Sequence, residues 1–241
     1  MLARLSLVLM LFVAACGEIT VTTPSSPTSA PERSGPTAQV QRREAGPAPR
    51  DFVRVVNDVL PVAIRECRRR TDNVRCDYAV VVDDRPNVPP NAFYTLSPEG
   101  QPVVGFTLPL IRLARNRDEL AFVLGHEAAH HIAGHIPRGQ ASAASSATLA
   151  GALVALGGGS EASIRQAQNV GAFYGARRYA QDFELEADAL GTILTARAGY
   201  DPLAGVAFFQ NSPDPGNTFL GTHPPNARRI DIVRRTMAQI R

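Results

Sequence analysis

The sequence contains no lysine, and its net charge is small for its length. All 25 basic residues are arginine and face 22 acidic residues, which leaves a formal charge of +3 over 241 residues. Arginine in place of lysine suits bidentate contacts but also follows from a GC-rich genome, so it assigns no function by itself. A small charge spread over a mixed surface argues against nucleic-acid binding, and no nucleic-acid partner is expected.

The sequence also lacks an apolar run long enough to span a bilayer. The run Leu5–Ala15 is too short for a spanning helix and follows a single early charge, Arg4, which is typical of a secretion signal. It ends in Val13-Ala14-Ala15-Cys16, which resembles the lipobox of bacterial lipoproteins. We therefore predict a lipoprotein signal peptide over residues 1–15 and lipidation of Cys16. An ordinary signal peptide that leaves this cysteine as an unpaired thiol is the alternative.

Cysteines are few, and the other two lie farther along the chain. Cys67 and Cys76 are separated by an arginine-rich turn, and an exported chain makes a disulfide between them reasonable. Two buried free thiols are the alternative.

Residues 16–50 are rich in proline, serine and threonine and show no apolar periodicity, so we predict a disordered tether there. Residues 51–241 are then expected to form one mainly helical α+β domain. Asp51 is expected to cap a first helix that Pro61 can kink. A buried strand over Cys76–Val82 and a strand pair around Ala92–Leu96 and Pro102–Phe106 complete a small sheet.

A motif of two histidines and a glutamate, His126-Glu127-Ala128-Ala129-His130, carries the clearest chemical signal. Leu120, Val123 and Leu124 share the apolar face of a helix that starts near Asp118 and runs into this motif. Residues at i and i+4 of a helix face the same way, so both imidazoles can bind one metal ion. The glutamate then reaches a water on that ion, which indicates a zinc hydrolase.

Catalytic zinc takes three protein ligands and keeps one position open, so a third ligand is required. Glu184, Asp188 and Gly191 share one helical face, and this spacing favours Glu184 as the ligand. Asp188 would then support a ligating histidine, and Gly191 would permit close helix packing. Glu186 projects to the other side, where pairing with an arginine is favoured over ligation.

The remaining three histidines give weaker signals. His131 and His135 lie off the ligand face of the helix and are expected to be structural or solvent-facing. His223 lies in the proline-rich loop Thr222-His223-Pro224-Pro225, and a lone loop histidine is usually a surface residue.

Several segments together resemble the zinc metallopeptidase family of the CAAX prenyl protease, HtpX and BepA, which are gluzincins. They are Pro90-Asn91-Ala92-Phe93, Arg117-Asp118-Glu119-Leu120-Ala121, Gly125 to His130, Glu184 to Asp188 with Gly191, and His223-Pro224. The resemblance covers much of residues 51–241 and implies a gluzincin-like domain. Some members span the membrane, but Ser142–Gly159 is a poor span and is better explained as a mobile helical hairpin or lid. The chain is therefore most similar to exported, lipid-anchored or soluble members.

This resemblance implies roles for particular residues. His126, His130 and Glu184 would hold one zinc ion, Glu127 would be the catalytic base, and Asp188 would support a ligating histidine.

The resemblance also brings the loop histidine to the active site. His223 would be a transition-state donor or an extra ligand that closes the resting site, and Arg229 would assist it. The segment Asn91, Ala92 and Phe93 would present an unpaired strand edge to an extended substrate.

The expected function is a zinc-dependent endopeptidase that cleaves unfolded or misassembled envelope proteins. It would be lipid-anchored and face the periplasm, with the outer membrane favoured because Gly17 rather than aspartate follows Cys16. The sequence leaves open whether the protein also binds an envelope assembly partner. The alternative is a non-cleaving zinc lipoprotein that acts as a chaperone or scaffold, and the presence of Glu127 beside the ligands favours the enzyme.

Overall fold

The computed structural model describes residues 49–211, 216 and 224–240. The predicted signal peptide, the lipidation site at Cys16, nearly all of the predicted tether and His223 lie outside these residues. Within them the chain forms nine helices and three strands, which confirms the predicted mainly helical α+β fold.

The first helix, α1 (Pro49–Arg70), buries an apolar face that has the predicted helical spacing. Val55 and Val59 on this face are fully buried. The cap predicted at Asp51 is wrong, because the helix already begins at Pro49 and Asp51 lies in its first turn. The helix continues past Pro61, which is exposed, to its end.

The three strands form one small sheet. They are β1 (Ala79–Asp83), β2 (Ala92–Leu96) and β3 (Pro102–Thr107), arranged in the order β1-β3-β2. Strand β3 lies in the middle and pairs parallel with β1 and antiparallel with β2. Both β1 and β2 are therefore edge strands.

The central and edge strands differ in burial. Val104 and Phe106 of β3 are fully buried in the main core. The prediction of a buried strand over Cys76–Val82 is partly wrong, since β1 begins only at Ala79, and Val81 and Val82 are 42% and 45% exposed. An apolar run cannot distinguish a central strand from an edge strand whose valines face solvent.

A disulfide joins the end of α1 to the segment before β1. Cys67 and Cys76, whose Cα atoms are 5.8 Å apart, are bonded, and both residues are buried. The alternative of two free thiols therefore does not apply to this structure.

The neighbouring Glu66 is buried at the same end of α1 and pairs with three arginines. Its carboxylate accepts hydrogen bonds from Arg69, from Arg70 at 2.9 Å and from Arg197 at 2.7 Å. The hydrogen bond from Arg69 and the positive charge of the other two guanidinium groups lower the pKa of Glu66 to about 2, although burial opposes this shift.

Helix α3 (Arg117–Ile132) is buried on nearly all sides and carries the histidine motif in its last turns. Its cap is Asn116, whose side chain accepts a hydrogen bond from the Glu119 N–H at 2.8 Å. The predicted start near Asp118 is therefore confirmed to within one residue. The Glu119 carboxylate in turn accepts from the Arg115 N–H at 2.7 Å, so the start of the helix is fixed from both sides.

Helix α6 (Ala180–Arg197) packs closely against α3, as predicted from Gly191. A Cβ atom at Gly191 would lie 2.9 Å from the backbone nitrogen of His126 and 3.0 Å from its Cα. Any larger residue would push the two helices apart, so glycine is needed here for close packing rather than for a special backbone conformation.

Helices α4 (His135–Leu156) and α5 (Glu161–Arg177) form a helical hairpin and pack chiefly against each other. A hairpin was predicted here, but its predicted bounds are wrong, because Ser142–Gly159 comprises only part of α4 and the turn after it. A Cβ atom at Gly171 or Gly175 of α5 would come within 2.4 Å of a backbone oxygen of α4, so the helices are very close. Over the described part of the chain, none of the helices has the length and apolarity needed to cross a membrane. The mobility predicted for this hairpin stays a prediction.

Four shorter or later helices complete the fold. They are α2 (Leu108–Leu113), α7 (Pro202–Gly205), α8 (Ala207–Gln210) and α9 (Asn226–Ile240). A second buried cluster joins α8, α9 and the residue before α8 to α3. It consists of Phe122, Val206, Phe209 and Val233. This cluster fixes α9 beside the histidine motif.

Candidate active site

Three side chains from α3 and α6 converge on one point. The Nε2 atoms of His126 and His130 are 3.1 Å apart. Glu184 of α6 brings one carboxylate oxygen to 3.3 Å from His130 Nε2 and the other to 3.6 Å from His126 Nε2. These three predicted ligands form the one group of potential metal ligands found within the described residues.

The separations fit a small tetrahedral ion. Zinc bonds to nitrogen and oxygen ligands of about 2.0 Å place neighbouring ligand atoms of a tetrahedron about 3.3 Å apart. The distances of 3.1, 3.3 and 3.6 Å lie close to this value. Two imidazoles and one carboxylate are also a ligand set of catalytic zinc. The residues therefore fit the metal that the sequence predicts.

Asp188 and Arg229 support this group from the buried side. His126 Nδ1 lies 2.9 Å from an Asp188 oxygen, so this nitrogen donates to the carboxylate and leaves Nε2 facing the ligand group. Arg229 of α9 donates to both Asp188 oxygens, from Nε at 2.8 Å and from Nη2 at 2.7 Å. It also stacks on Phe209, with the guanidinium carbon 3.7 Å from the ring centroid.

The electrostatics of the group favour a cation. Burial raises the pKa of Asp188, but hydrogen bonds from His126 and Arg229 outweigh burial and leave the pKa below its ordinary value. Burial and Arg229 lower the pKa of His126, but Asp188 and Glu184 raise it more, to about 10. Negative charge therefore exceeds positive charge around this ring, as a site for a divalent ion requires.

Glu127 lies between two cavities that open on the ligand group. One, of about 400 Å³, is mainly apolar and lies beside α2 and α8. Its apolar lining includes Leu110, Leu113, Val123, Phe208 and Phe209. The other, of about 220 Å³, is lined by Glu127 together with His130, Tyr94 and the first two residues of α4, His135 and Ile136. The predicted base can therefore be reached from both sides.

The edge strand β2 passes the same glutamate. Asn91 and Ala92 line the larger cavity with Glu127, and Tyr94 lines the smaller one. The predicted position of this segment beside the site is thus found. The ring of Phe93 is placed differently, since it covers Gly105 of the neighbouring strand and does not line either cavity.

The histidines outside the ligand set have separate structural partners. His131 Nε2 donates to the Arg75 carbonyl at 2.6 Å, so its Nδ1 accepts from the Tyr94 hydroxyl at 2.7 Å. It therefore ties α3 to β2, in line with the structural role predicted for it.

His135 is closer to the site than the sequence indicated. Its Nδ1 lies 2.7 Å from Nδ1 of the candidate ligand His130, and its Nε2 lies 3.2 Å from a Glu186 oxygen. Glu186 also pairs with Arg138 at 2.7 Å, which matches the arginine partner predicted for it. Burial, more than the nearby His130, lowers the pKa of His135 to about 4, so this ring is neutral at neutral pH.

In the sequence, Gly134 is the residue that could have indicated the contact between His135 and His130. It has φ of 67°, in the left-handed region that glycine adopts freely, and it ends α3 and turns the chain back. His223 lies outside the described residues, so its predicted role at the site stays a prediction, as does lipidation of Cys16.

Comparison with known proteins agrees with this geometry. A model described as Peptidase family M48 matches residues 54–237. A Vibrio cholerae protein named as a beta-barrel assembly-enhancing protease is 35% identical over 139 residues, which cover 52% of this chain and 29% of that protein. The chain thus matches less than a third of the length of this relative.

Proposed function

Because the chain belongs to peptidase family M48 and is a metallopeptidase, we propose that it is a zinc-dependent endopeptidase acting on unfolded or misassembled envelope proteins. The observation that carries this proposal is the group of His126, His130 and Glu184, with ligand atoms 3.1 to 3.6 Å apart. Glu127 lies beside this group and lines two of the cavities that border it.

The division of labour follows from where the side chains lie. His126, His130 and Glu184 would hold the zinc ion, which when bound acidifies a water molecule and polarises the peptide carbonyl. Glu127 accepts the proton of the attacking water and delivers it to the nitrogen of the leaving amine. Asp188 keeps the proton of His126 on Nδ1, so that Nε2 stays available as a ligand.

Arg229 has a supporting position in this proposal. Its guanidinium is held by both oxygens of Asp188 and reaches to 3.5 Å from Glu184. It therefore fixes the carboxylate that orients His126. A donor to the developing oxyanion contributes about 3–4 kcal/mol in such reactions. We assign that role to His223, for which the family resemblance implies either a donor or an extra ligand that closes the resting site.

The substrate would bind as an extended strand beside β2. This strand lies at the edge of the sheet, and its residues line the cavities on both sides of Glu127. Main-chain pairing with an edge strand reads little sequence, which suits unfolded segments. The larger cavity is mainly apolar, so an apolar side chain next to the scissile bond is favoured.

The proposed cellular location is based on the predicted lipidation at Cys16 and on the name of the Vibrio cholerae relative. The Vibrio cholerae relative is named for beta-barrel assembly, which takes place in the bacterial envelope. The signal peptide and lipidation at Cys16 would hold this chain at the periplasmic face of a membrane, with the outer membrane favoured. Misassembled exported proteins would then be its substrates, and an envelope assembly factor its partner.

The test compares zinc content and casein digestion in three variants of the purified chain. We expect Glu127→Gln to keep zinc and lose digestion, because it removes the base without removing a ligand. We expect Glu184→Ala to lose both. Glu161→Gln is the matched control, since this exposed carboxylate at the start of α5 pairs only at the surface with Arg165.

Two results would count against the proposal. If the wild-type chain binds no zinc, the assignment of the metal site is wrong. If wild type and Glu127→Gln digest casein equally, the assignment of Glu127 as the base is wrong. The non-cleaving scaffold gives a different pattern, since the Glu127→Gln variant would then rescue a null strain as well as wild type does.

A further inference from the structure

His135 contacts one of the proposed zinc ligands directly, on the side away from the ion. Its Nδ1 atom lies 2.7 Å from His130 Nδ1, which is hydrogen-bond distance for two ring nitrogens that share one proton. The other nitrogen of His135 lies 3.2 Å from a carboxylate oxygen of Glu186. The three side chains form a continuous row that begins at the ligand group.

The direction of the protons in this row follows from the ligand position. His130 faces the ligand group through Nε2, which is 3.3 Å from Glu184, and a ligating nitrogen carries no proton. Its single proton is then on Nδ1 and is donated to Nδ1 of His135. The proton of His135 is in turn on Nε2 and is donated to Glu186. Each donor in the row meets an acceptor.

The row is also held in place from its flanks. The ring of Phe183 stacks on His135, with centroids 4.5 Å apart and planes 10° from parallel. Arg138 pairs with Glu186 at 2.7 Å and lies over the Phe183 ring, with its guanidinium carbon 4.5 Å from the ring centroid. His135 itself is buried. A ring fixed in this way can orient the imidazole that it contacts.

We infer that His135, backed by Glu186, is a positioning residue for the zinc ligand His130, as Asp188 is for His126. This inference depends on the proposed zinc site. His135 does not bind the ion in this assignment. It sets the proton of His130 and the direction of its ligating nitrogen.

The two ligand histidines are therefore supported differently. His126 has a fully buried carboxylate partner, Asp188, which is paired with a buried arginine. His130 has an imidazole partner whose own carboxylate, Glu186, is 47% exposed at the side chain. Support for His130 thus extends to the protein surface. A substitution at Glu186 is therefore expected to alter the orientation of His130 through His135.

The test is zinc affinity of the purified full chain, measured by competition with a chromophoric chelator. His135→Ala is expected to weaken zinc binding about 10- to 100-fold, the usual effect of losing a hydrogen-bond partner of a ligand. His135→Asn is expected to restore most of the affinity, because its amide oxygen can accept the His130 proton. His131→Ala is the matched control, since this neighbouring buried histidine bonds to Tyr94 and Arg75 instead.

A second variant covers the case in which His135→Ala does not fold. Glu186→Ala removes a half-exposed side chain and is expected to weaken zinc binding about tenfold, at the low end of the same range. Wild-type zinc affinity in a folded His135→Ala variant, or in Glu186→Ala, would overturn the inference while leaving the zinc site intact. A wild-type chain that binds no zinc would overturn the site itself and this inference with it.

Discussion

Replacement of Gly191 by alanine tests whether the spacing of α3 and α6 determines the metal site. The added Cβ would lie 2.9 Å from the backbone nitrogen of His126 and 3.0 Å from its Cα. Ordinary carbon contacts lie at about 3.5–4.0 Å, so the helices must separate by about 0.5–1 Å. Both atoms belong to backbone, which cannot rotate away as a side chain can.

The expected energies follow from this overlap. Overpacking of this kind costs about 1–3 kcal/mol, and the better helix propensity of alanine offsets about 1 kcal/mol of it. The larger effect is on zinc, because ligand distances tolerate only about 0.2 Å. His126 lies on one helix and Glu184 on the other, so separation of the helices changes their spacing. We expect zinc affinity to fall at least about tenfold, which corresponds to about 1.4 kcal/mol.

The assay pairs chemical denaturation of the metal-free chain with a chelator competition titration. Gly139→Ala in α4 is the control, since a Cβ there meets no atom within 4 Å. That variant should gain up to about 1 kcal/mol in free energy of unfolding and keep its zinc affinity. If Gly191→Ala behaves like Gly139→Ala in both measurements, the helix spacing does not determine the site and the reasoning is refuted.

Three further predictions concern charges and the disulfide. Asp188→Ala should lower the free energy of unfolding by about 3–5 kcal/mol, because the buried Arg229 loses both of its hydrogen bonds to this carboxylate and keeps only Glu184, at 3.5 Å. Adding Arg229→Met should recover part of this loss, and additive losses in denaturation would contradict the pairing. Because the pKa of Glu66 is lowered to about 2 in the folded state, its ionised carboxylate stabilises the fold. This contribution to the free energy of unfolding is fully present above about pH 4.5 and is lost as the pH falls toward 2. Glu66→Gln should therefore cost about 1–2 kcal/mol at neutral pH, because the arginine partners are half exposed, and nothing near pH 2. If the free energy of unfolding of Glu66→Gln depends on pH in the same way as that of wild type, this prediction is contradicted. Reduction of Cys67–Cys76 should cost about 2–3 kcal/mol, which denaturation with and without reductant measures against a double serine variant that should not respond to reductant.

The candidate ligand residues could be predicted because helical spacing places those of each helix on one side of it. His126 and His130 are one turn apart on α3, and this period places both imidazoles on one side whatever the rest of the chain does. Glu184 and Asp188 repeat the same spacing on α6. The remaining requirement was that the two helices approach closely, and Gly191 indicated this in the sequence.

The missed features depend on breaks in regular structure or on tertiary position. On a continuous helix, His135 would lie well away from the direction of His130, but Gly134 ends α3 and turns the chain back. The exposure of Val81 could not be predicted, because the position of β1 at the edge depends on its parallel pairing with β3.

The α4–α5 hairpin makes the connection between the two ligand-bearing helices tolerant of insertion. Most of the chain between His130 and Glu184 lies in two helices that pack chiefly on each other, and loop-closure entropy rises only slowly with length. The base of the hairpin must keep His135, but its far end bears no ligand. The turn Gly157-Gly158-Gly159 at that end is therefore a suitable place to attach a fluorophore or an affinity handle without disturbing the metal site.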